Sequence, residues 1–205
     1  MGYCLSASKT FLAFSCTHCP HQDEVAIAWL LGQIADRKPD VIVCLGDLIE
    51  GDAGSKWNDE AMHTLLDEYE VANEMLKSIR KVAPNSTRVM LQGNHCANVL
   101  AKGRIDPRVR SLLDMRKNID ELQHWNTKAE YEYCRRRGCF RLGQVCFTHG
   151  FECSGAGIRR EAIYFLQGHQ FGLYVHGHTH RAHPPKQMMA TTTTPLPWWI
   201  ANAGC

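Results

Sequence analysis

At 205 residues, 44% hydrophobic and with a formal net charge of +2, the chain suits one ordinary domain with a sizeable core. Its ten cysteines sit in too long a chain, with too much helical periodicity, for a disulfide-stapled mini-domain. No charged leader with an apolar core opens it, and no apolar run approaches the ~18 residues of a membrane span.

The opening Met1-Gly2-Tyr3-Cys4-Leu5-Ser6 matches the loose myristoylation pattern, which is short enough to arise by chance. The reading is a reduced, cytoplasmic protein with no membrane partner. In chain order, "TFLAFS" (10–15) reads as a buried strand, and Ile27, Leu30, Leu31 and Ile34 give residues 22–37 one apolar helical face. Pro39 ends that helix, and "VIVCL" (41–45) is a β-branched strand followed by a Gly-Asp loop over 46–54. A helix is predicted over 58–82, with Met62, Leu65, Leu66, Tyr69, Leu76 and Ile79 facing the core. After the Pro84-Asn85-Ser86 turn comes the strand "RVMLQ" (88–92).

Strand–helix–strand–helix–strand implies an α/β layered fold with parallel central strands. Residues 98–137 look helical, broken by Pro107, and are expected to form a basic cap or insertion. "CFRLGQVCFTHG" (139–150) reads as two strands around Gly143-Gln144, a helix follows near 157–167, and "GLYVHGHTH" (172–180) is a strand ending in histidines.

Polar residues collect where strands end. The first strand runs into Cys16 and His18, the second into Gly46-Asp47 with Glu50 beyond, and the third into Gly93-Asn94-His95. Later strands run into His149-Gly150 and Gly177-His178-Thr179-His180. Carboxyl ends of strands in an open α/β sheet share one edge, where ligands bind. Carboxylate, amide and imidazole together suit Mn, Fe, Zn or Co. Each fragment alone is an ordinary turn or rim histidine, but five in succession carry weight.

In that order the five motifs resemble the calcineurin-like metallophosphoesterase family, whose pattern is Asp-x-His, Gly-Asp-x-x-Asp/Glu, Gly-Asn-His-Asp/Glu, His and Gly-His-x-His. The resemblance runs over residues 11–205. It implies a four-layer α-β-β-α sandwich with two mixed sheets and a metal site at the carboxyl ends of the strands. One divalent ion would lie between Cys16, His18, Asp47 and His180, and a second between Asp47, Asn94, His149 and His178, with Asp47 bridging. The family hydrolyses phosphoesters by in-line attack of a hydroxide held between its metals. His95 would serve the leaving group and Glu50 would hydrogen-bond His95.

Several positions depart from the pattern. Cys16 replaces the first aspartate; a thiolate suits zinc or iron better than magnesium or manganese. The site is expected to work with a softer metal, to work weakly, or to be impaired, and the presence of every other ligand favours activity. Cys16, His18, Cys19 and His21 are too crowded for a structural zinc knot. Cys96 stands where the family has an acid, and Gly51-Asp52 replaces the Arg-Gly of protein serine/threonine phosphatases. "NAGC" (202–205) resembles a family stretch after which further strands follow, so the chain reads as short or clipped.

Charge is uneven. Residues 1–96 hold 8 Lys and Arg against 13 Asp and Glu, whereas residues 97–141 hold 11 against 6. Arg104, Arg108, Arg110, Arg116, Lys117 and Arg135-Arg136-Arg137 could contact nucleic-acid phosphates through the segment 102–137, with Trp125 and Tyr131 stacking on a base. The alternative is a solvated helix with packing aromatics, and Arg159 and Arg160 are equally open. The expected function is a phosphodiesterase acting on nucleotide-type diesters with two divalent ions, Mn, Fe or Zn before Mg. The alternatives are an SbcD-like nuclease and a catalytically impaired metal-binding scaffold.

Overall fold

The computed structural model describes residues 9–52, 63–102, 108–127, 130–134, 137–166, 172–181, 183–189 and 195–202. Outside them lie the myristoylation-like start, Met62, Arg104, Pro107, Arg135, Arg136 and residues 203–205.

β1 (Phe11–Phe14), β2 (Val41–Cys44) and β3 (Thr87–Met90) form a parallel sheet in the order β1-β2-β3. Helix α1 (Glu24–Arg37) lies between β1 and β2, and α2 (Leu65–Val82) between β2 and β3. Asp23 caps α1 by accepting from the Val25 and Ala26 amides, and Thr64 and Asp67 form a capping box at α2. A second, mixed sheet of six strands follows: β4 (Glu130–Cys134), β5 (Arg137–Leu142), β6 (Val145–Thr148), β7 (Gly172–His176), β8 (His183–Met189) and β9 (Pro195–Asn202), ordered β4-β5-β6-β7-β9-β8. Helix α3 (Asn94–Lys102) and the short α4 (Met115–Asn118) precede this sheet, and α5 (Gly155–Leu166) links β6 to β7.

The layering follows from β2. Its residues are buried on both faces, as a parallel strand covered on two sides requires. Ile42 and Cys44 pack with Leu30 and Ile34 of α1 and with Tyr69, Ala72, Leu76 and Ile79 of α2. Val41 and Val43, with Leu45 just beyond the strand, point the other way, onto Phe147 and Val175 of the second sheet. That sheet turns Cys139, Cys146 and Tyr174 outward against Ala162, Phe165 and Leu166 of α5. The result is the expected α-β-β-α sandwich, with the three-stranded sheet wholly parallel among the described residues and the six-stranded sheet mixed.

Two expectations need correction. Leu66, assigned to the core face of α2, is 68% exposed, and Glu68 is buried instead. The described part of residues 98–137 is helical in pieces: α3 runs to Lys102, α4 and a 3-10 turn at Asp120–His124 follow, and the stretch ends in β4 and the start of β5. Met115, Ile119, Leu122 and Trp125 are core residues, and Arg80 of α2 clamps the buried Glu121 with bonds of 2.6 and 3.0 Å. Asn126 then pairs with Arg88 and Met90 beside β3, so the segment crosses from one sheet to the other. Finally, β8 was not anticipated. Pro184 and Pro185 lack N–H donors, but β8 is an edge strand and its register against β9 shifts between His183 and Lys186, where those prolines sit.

Candidate metal centre

The carboxyl ends of β1, β2 and β3 face those of β6 and β7, and the chain turns sharply at each. Among the described residues six non-glycine residues have positive φ; Lys38 caps α1, and the other five are Cys16, His18, Asp47, His178 and His180. Backbone of this kind costs of order 1–3 kcal/mol per residue and persists where surrounding structure enforces it. All five are predicted ligands. Gly93 is needed for closeness, since a Cβ there would overlap the Asp47 carboxylate, and Gly46 passes the Gly93 backbone at φ +116°.

Three groups of ligand atoms meet, the third being His18, Glu50 and His95. In the first, His18 Nε2 and His180 Nε2 face each other at 3.3 Å, and Cys16 Sγ lies within 4.8 Å of both ligand groups. Two imidazole nitrogens converging this way are arranged as ligands of one cation. In the second, His149 Nε2 is 2.9 Å from Asp47 Oδ2 and 2.9 Å from Asn94 Oδ1, and Cys16 again lies within 4.8 Å of the Asp47 and His149 ligand atoms. His149 Nδ1 donates to the Leu45 carbonyl at 3.2 Å, which aims Nε2 inward. The donor set of thiol, imidazoles, carboxylate and amide oxygen fits a borderline divalent ion.

His178 stands apart. Its backbone N–H donates to Cys16 Sγ at 3.3 Å, but its ring Nε2 lies 3.4 Å from Cys153 Sγ, and its ring packs edge-on against His149 at 5.1 Å. Of the predicted Cys, His and Asp ligands, it is the one not within mutual reach of a group.

Electrostatics divide the imidazoles. Burial, then the neighbouring His149, pushes His178 down to about 4, and burial with His18 also lowers His180. Both are therefore neutral and able to ligate at neutral pH. Burial pulls His149 down too, but the bonded Asp47 carboxylate outweighs it and raises the value. At His18, burial is likewise outweighed, by Cys16, Asp47 and Glu50. Asp47 is raised by burial but held low overall by His149.

Glu50 is placed differently from expectation. Its carboxylate is 2.6 Å from His18 Nδ1 and 3.5 Å from His95 Nδ1. The His18 contact is short but off-axis, and Nδ1 lacks a well-directed hydrogen bond. His95 Nδ1 instead meets the Glu50 backbone carbonyl at 2.5 Å, while the His95 amide donates to Asp47 Oδ1 at 2.9 Å. Sequence reasoning missed Glu68. From inside α2 its fully buried carboxylate accepts from the amides of Gly51 (2.6 Å) and Asp52 (3.0 Å), pinning the loop that carries Glu50. An acid on the apolar face of a helix was the available signal.

Cys19 and Cys96 are not among the converging ligand atoms. Cys19 is buried in the core with its thiol pushed up to about 11 by burial, and His21 turns toward Asp52 and His63, so no zinc knot forms. Burial pushes Cys96 up to about 12, a neutral thiol in place of an acid. Trp125 packs edge-on to Phe14 and is unavailable for base stacking; the Tyr131 side chain lies outside the described residues. Arg108 and Arg110 are exposed, and Arg116 pairs with Asp114 at 2.9 Å.

The family model for calcineurin-like phosphoesterases matches residues 9–182. No curated protein matches the chain. Similar solved structures include a single mutant of Vps29 from Entamoeba histolytica, 12% identical, with 94% of this chain and 72% of that one covered and a TM-score of 0.44. YfcE, a phosphoesterase from E. coli, is 18% identical, with 95% and 78% covered and a TM-score of 0.44.

Proposed function

This chain belongs to the calcineurin-like phosphoesterase family, and from that premise we propose that it is a metal-dependent phosphodiesterase acting on nucleotide-type diesters. The observation that carries the reading is the convergence of His18 and His180 on one side of Cys16, and of Asp47, Asn94 and His149 on the other. Two divalent ions held there would supply Lewis acidity and an activated water. The chain's own groups do the rest. The Leu45 carbonyl orients His149, and the Glu50 carboxylate supplies negative charge beside His18. The His95 Nδ1 proton is directed at the Glu50 carbonyl, which leaves Nε2 to hold or give the proton that the leaving oxygen needs.

Diester preference has electrostatic support. Glu50 stands on the His18–His95 side, and negative charge there disfavours the doubly charged monoester more than the singly charged diester. Gly51-Asp52 in place of Arg-Gly further argues against phosphoprotein substrates. The nuclease reading loses ground because residues 115–126 pack against α2 and β3. No helix among the described residues is long and apolar enough to cross a membrane; with seven described cysteines free, a reducing cytoplasmic setting is the consistent proposal. The test is hydrolysis of a chromogenic phosphodiester, beside the matching monoester, by metal-stripped protein refilled with Mn, Fe, Zn or Mg. Metal-dependent turnover with the diester preferred supports the reading. A folded protein inert with every metal would favour the impaired scaffold instead.

A further inference from the structure

We propose that the groove between α1 and α2 docks an amphipathic helix of a partner protein, one that carries lysine or arginine beside its apolar face. The groove lies on the outer layer of the sandwich and encloses about 550 Å³. Its floor is apolar, with Ile27 and Leu31 from α1 and Val71 and Met75 from α2. Helix α1 is apolar nearly all round, yet Leu30 and Ile34 are its buried residues. A helix of that composition is ordinarily covered on every side. The exposed crest of α1 carries Val25 at 78% and Trp29 at 65% exposure, and helical spacing puts Ala28 and Gly32, both exposed, between that crest and the groove. A Cβ at Gly32 would meet nothing, so packing within this chain does not call for a glycine that weakens the helix. Small residues at 28 and 32 leave an approaching helix room for close contact.

Charge selects the occupant. Glu24, Asp67, Glu70 and Glu74 line the groove, and among the described residues no lysine or arginine does. Asp67 caps α2, and Glu74 takes Lys77 at 2.7 Å. Glu24 accepts from the neutral Gln22 at 2.7 Å, and among the described residues neither it nor Glu70 pairs with a lysine or arginine. An apolar floor with an acidic border matches a helix that presents apolar anchors at i, i+3, i+4 and i+7 with cations on its flanks. The same border repels anionic lipid headgroups, and a second copy docked by this face would set acid against acid.

The experiment titrates the full chain into a fluorescein-labelled, end-blocked peptide of about 14 residues, four helical turns, with leucine along one face and lysine elsewhere. Anisotropy should show saturable binding that weakens about tenfold or more between low and physiological salt. Serine in place of the leucines should weaken it about tenfold or more, and glutamate in place of the lysines should abolish it. Glu70→Lys combined with Glu74→Lys, both at exposed positions, should weaken it about tenfold or more with the circular-dichroism spectrum unchanged. Methyl NMR shifts on binding should centre on Ile27, Leu31, Val71 and Met75. The absence of saturable binding would overturn the proposal, as would binding that survives the double charge reversal. Shifts confined to the strand-end site, whose Asp47 and Glu50 also attract cations, would overturn it as well. A dimer that protects α1 and α2 from hydrogen exchange would assign the groove to a second copy instead. Co-sedimentation with phosphatidylserine vesicles, lost in Trp29→Ser, would assign the face to a membrane.

Discussion

The two rims that meet at the site contribute different chemistry. The parallel sheet brings the thiol, the acids and the amide, Cys16, Asp47, Glu50 and Asn94, together with His18 and His95. The mixed sheet brings imidazoles, His149, His178 and His180. The first rim is stitched by its own backbone: Cys16 N–H to Gly46, His18 N–H to Asp47 and Cys19 N–H to Leu48 bond at 2.9–3.1 Å. Across the gap, contacts run mostly through ligand side chains and the Cys16 sulfur. Negative charge is thus fixed on a rigid side, and imidazoles approach it from the other, so an ion placed between them is also a clasp between the sheets.

The sharpest way to break this contrast is Asp47→Ala, which removes the buried anion from the first rim. Hydrolysis should fall by more than about 10³-fold, beyond the loss of one orienting donor, and bound metal measured by elemental analysis should fall with it. Equal turnover in the variant would refute the role of that rim. Removing the metal with a chelator comes next. Since an ion at 1,000 times its dissociation constant stabilises by about 4 kcal/mol, the melting temperature should drop, and hydrogen exchange should rise at His178–His180 more than at β1–β2. Uniform loss of protection would mean that the ion is no clasp.

Glu50→Gln keeps size and removes charge beside His18 Nδ1. Metal affinity should weaken by about 10–100-fold, as for loss of an outer-shell partner, measured by competition with a chromophoric chelator. Glu68→Ala leaves two amides without their acceptor at a cost of about 1–3 kcal/mol in denaturant unfolding, and hydrolysis should suffer less than in Glu50→Gln.

The smallest effect is the proton distribution in the metal-free protein. His178, depressed to about 4, contributes stability present above its unfolded value of 6.5 and lost as pH falls toward 4. His18 and His149, raised above 6.5, do the reverse: their contribution is whole below 6.5 and fades as pH rises through their folded values. Imidazole NMR signals should therefore show His178 neutral at pH 6 while His149 is still protonated. A His178 ring that titrates near 6.5 would erase the difference between these two imidazoles of the mixed-sheet rim.

Much of this was legible because ligands follow apolar strands immediately in the chain: Phe14 precedes Cys16 by two residues, and Cys44 precedes Asp47 by three. Local rules find such sites. What escaped depends on distant neighbours. Leu66 and Glu68 invert the pattern of α2, because the amides of Gly51 and Asp52 wait for a carboxylate there. Trp125, in a basic stretch, is apolar enough to be claimed by the core. The Glu50 side chain stands nearer His18 (2.6 Å) than His95 (3.5 Å), a choice that spacing in the sequence cannot resolve.

The proline-bearing edge of the mixed sheet bears on how the protein behaves in crowded solution. A free strand edge is a template on which a neighbouring copy can continue the ladder, the first step toward fibrous aggregation. At β8, Pro184 and Pro185 offer no N–H, the register shifts beside them, and Pro185, Lys186 and Gln187 stand exposed. An incoming strand would meet missing donors and a charge where it needs a flat hydrogen-bonding row. Among the described residues, that border of the sheet is therefore a poor template for the strand of a neighbouring copy.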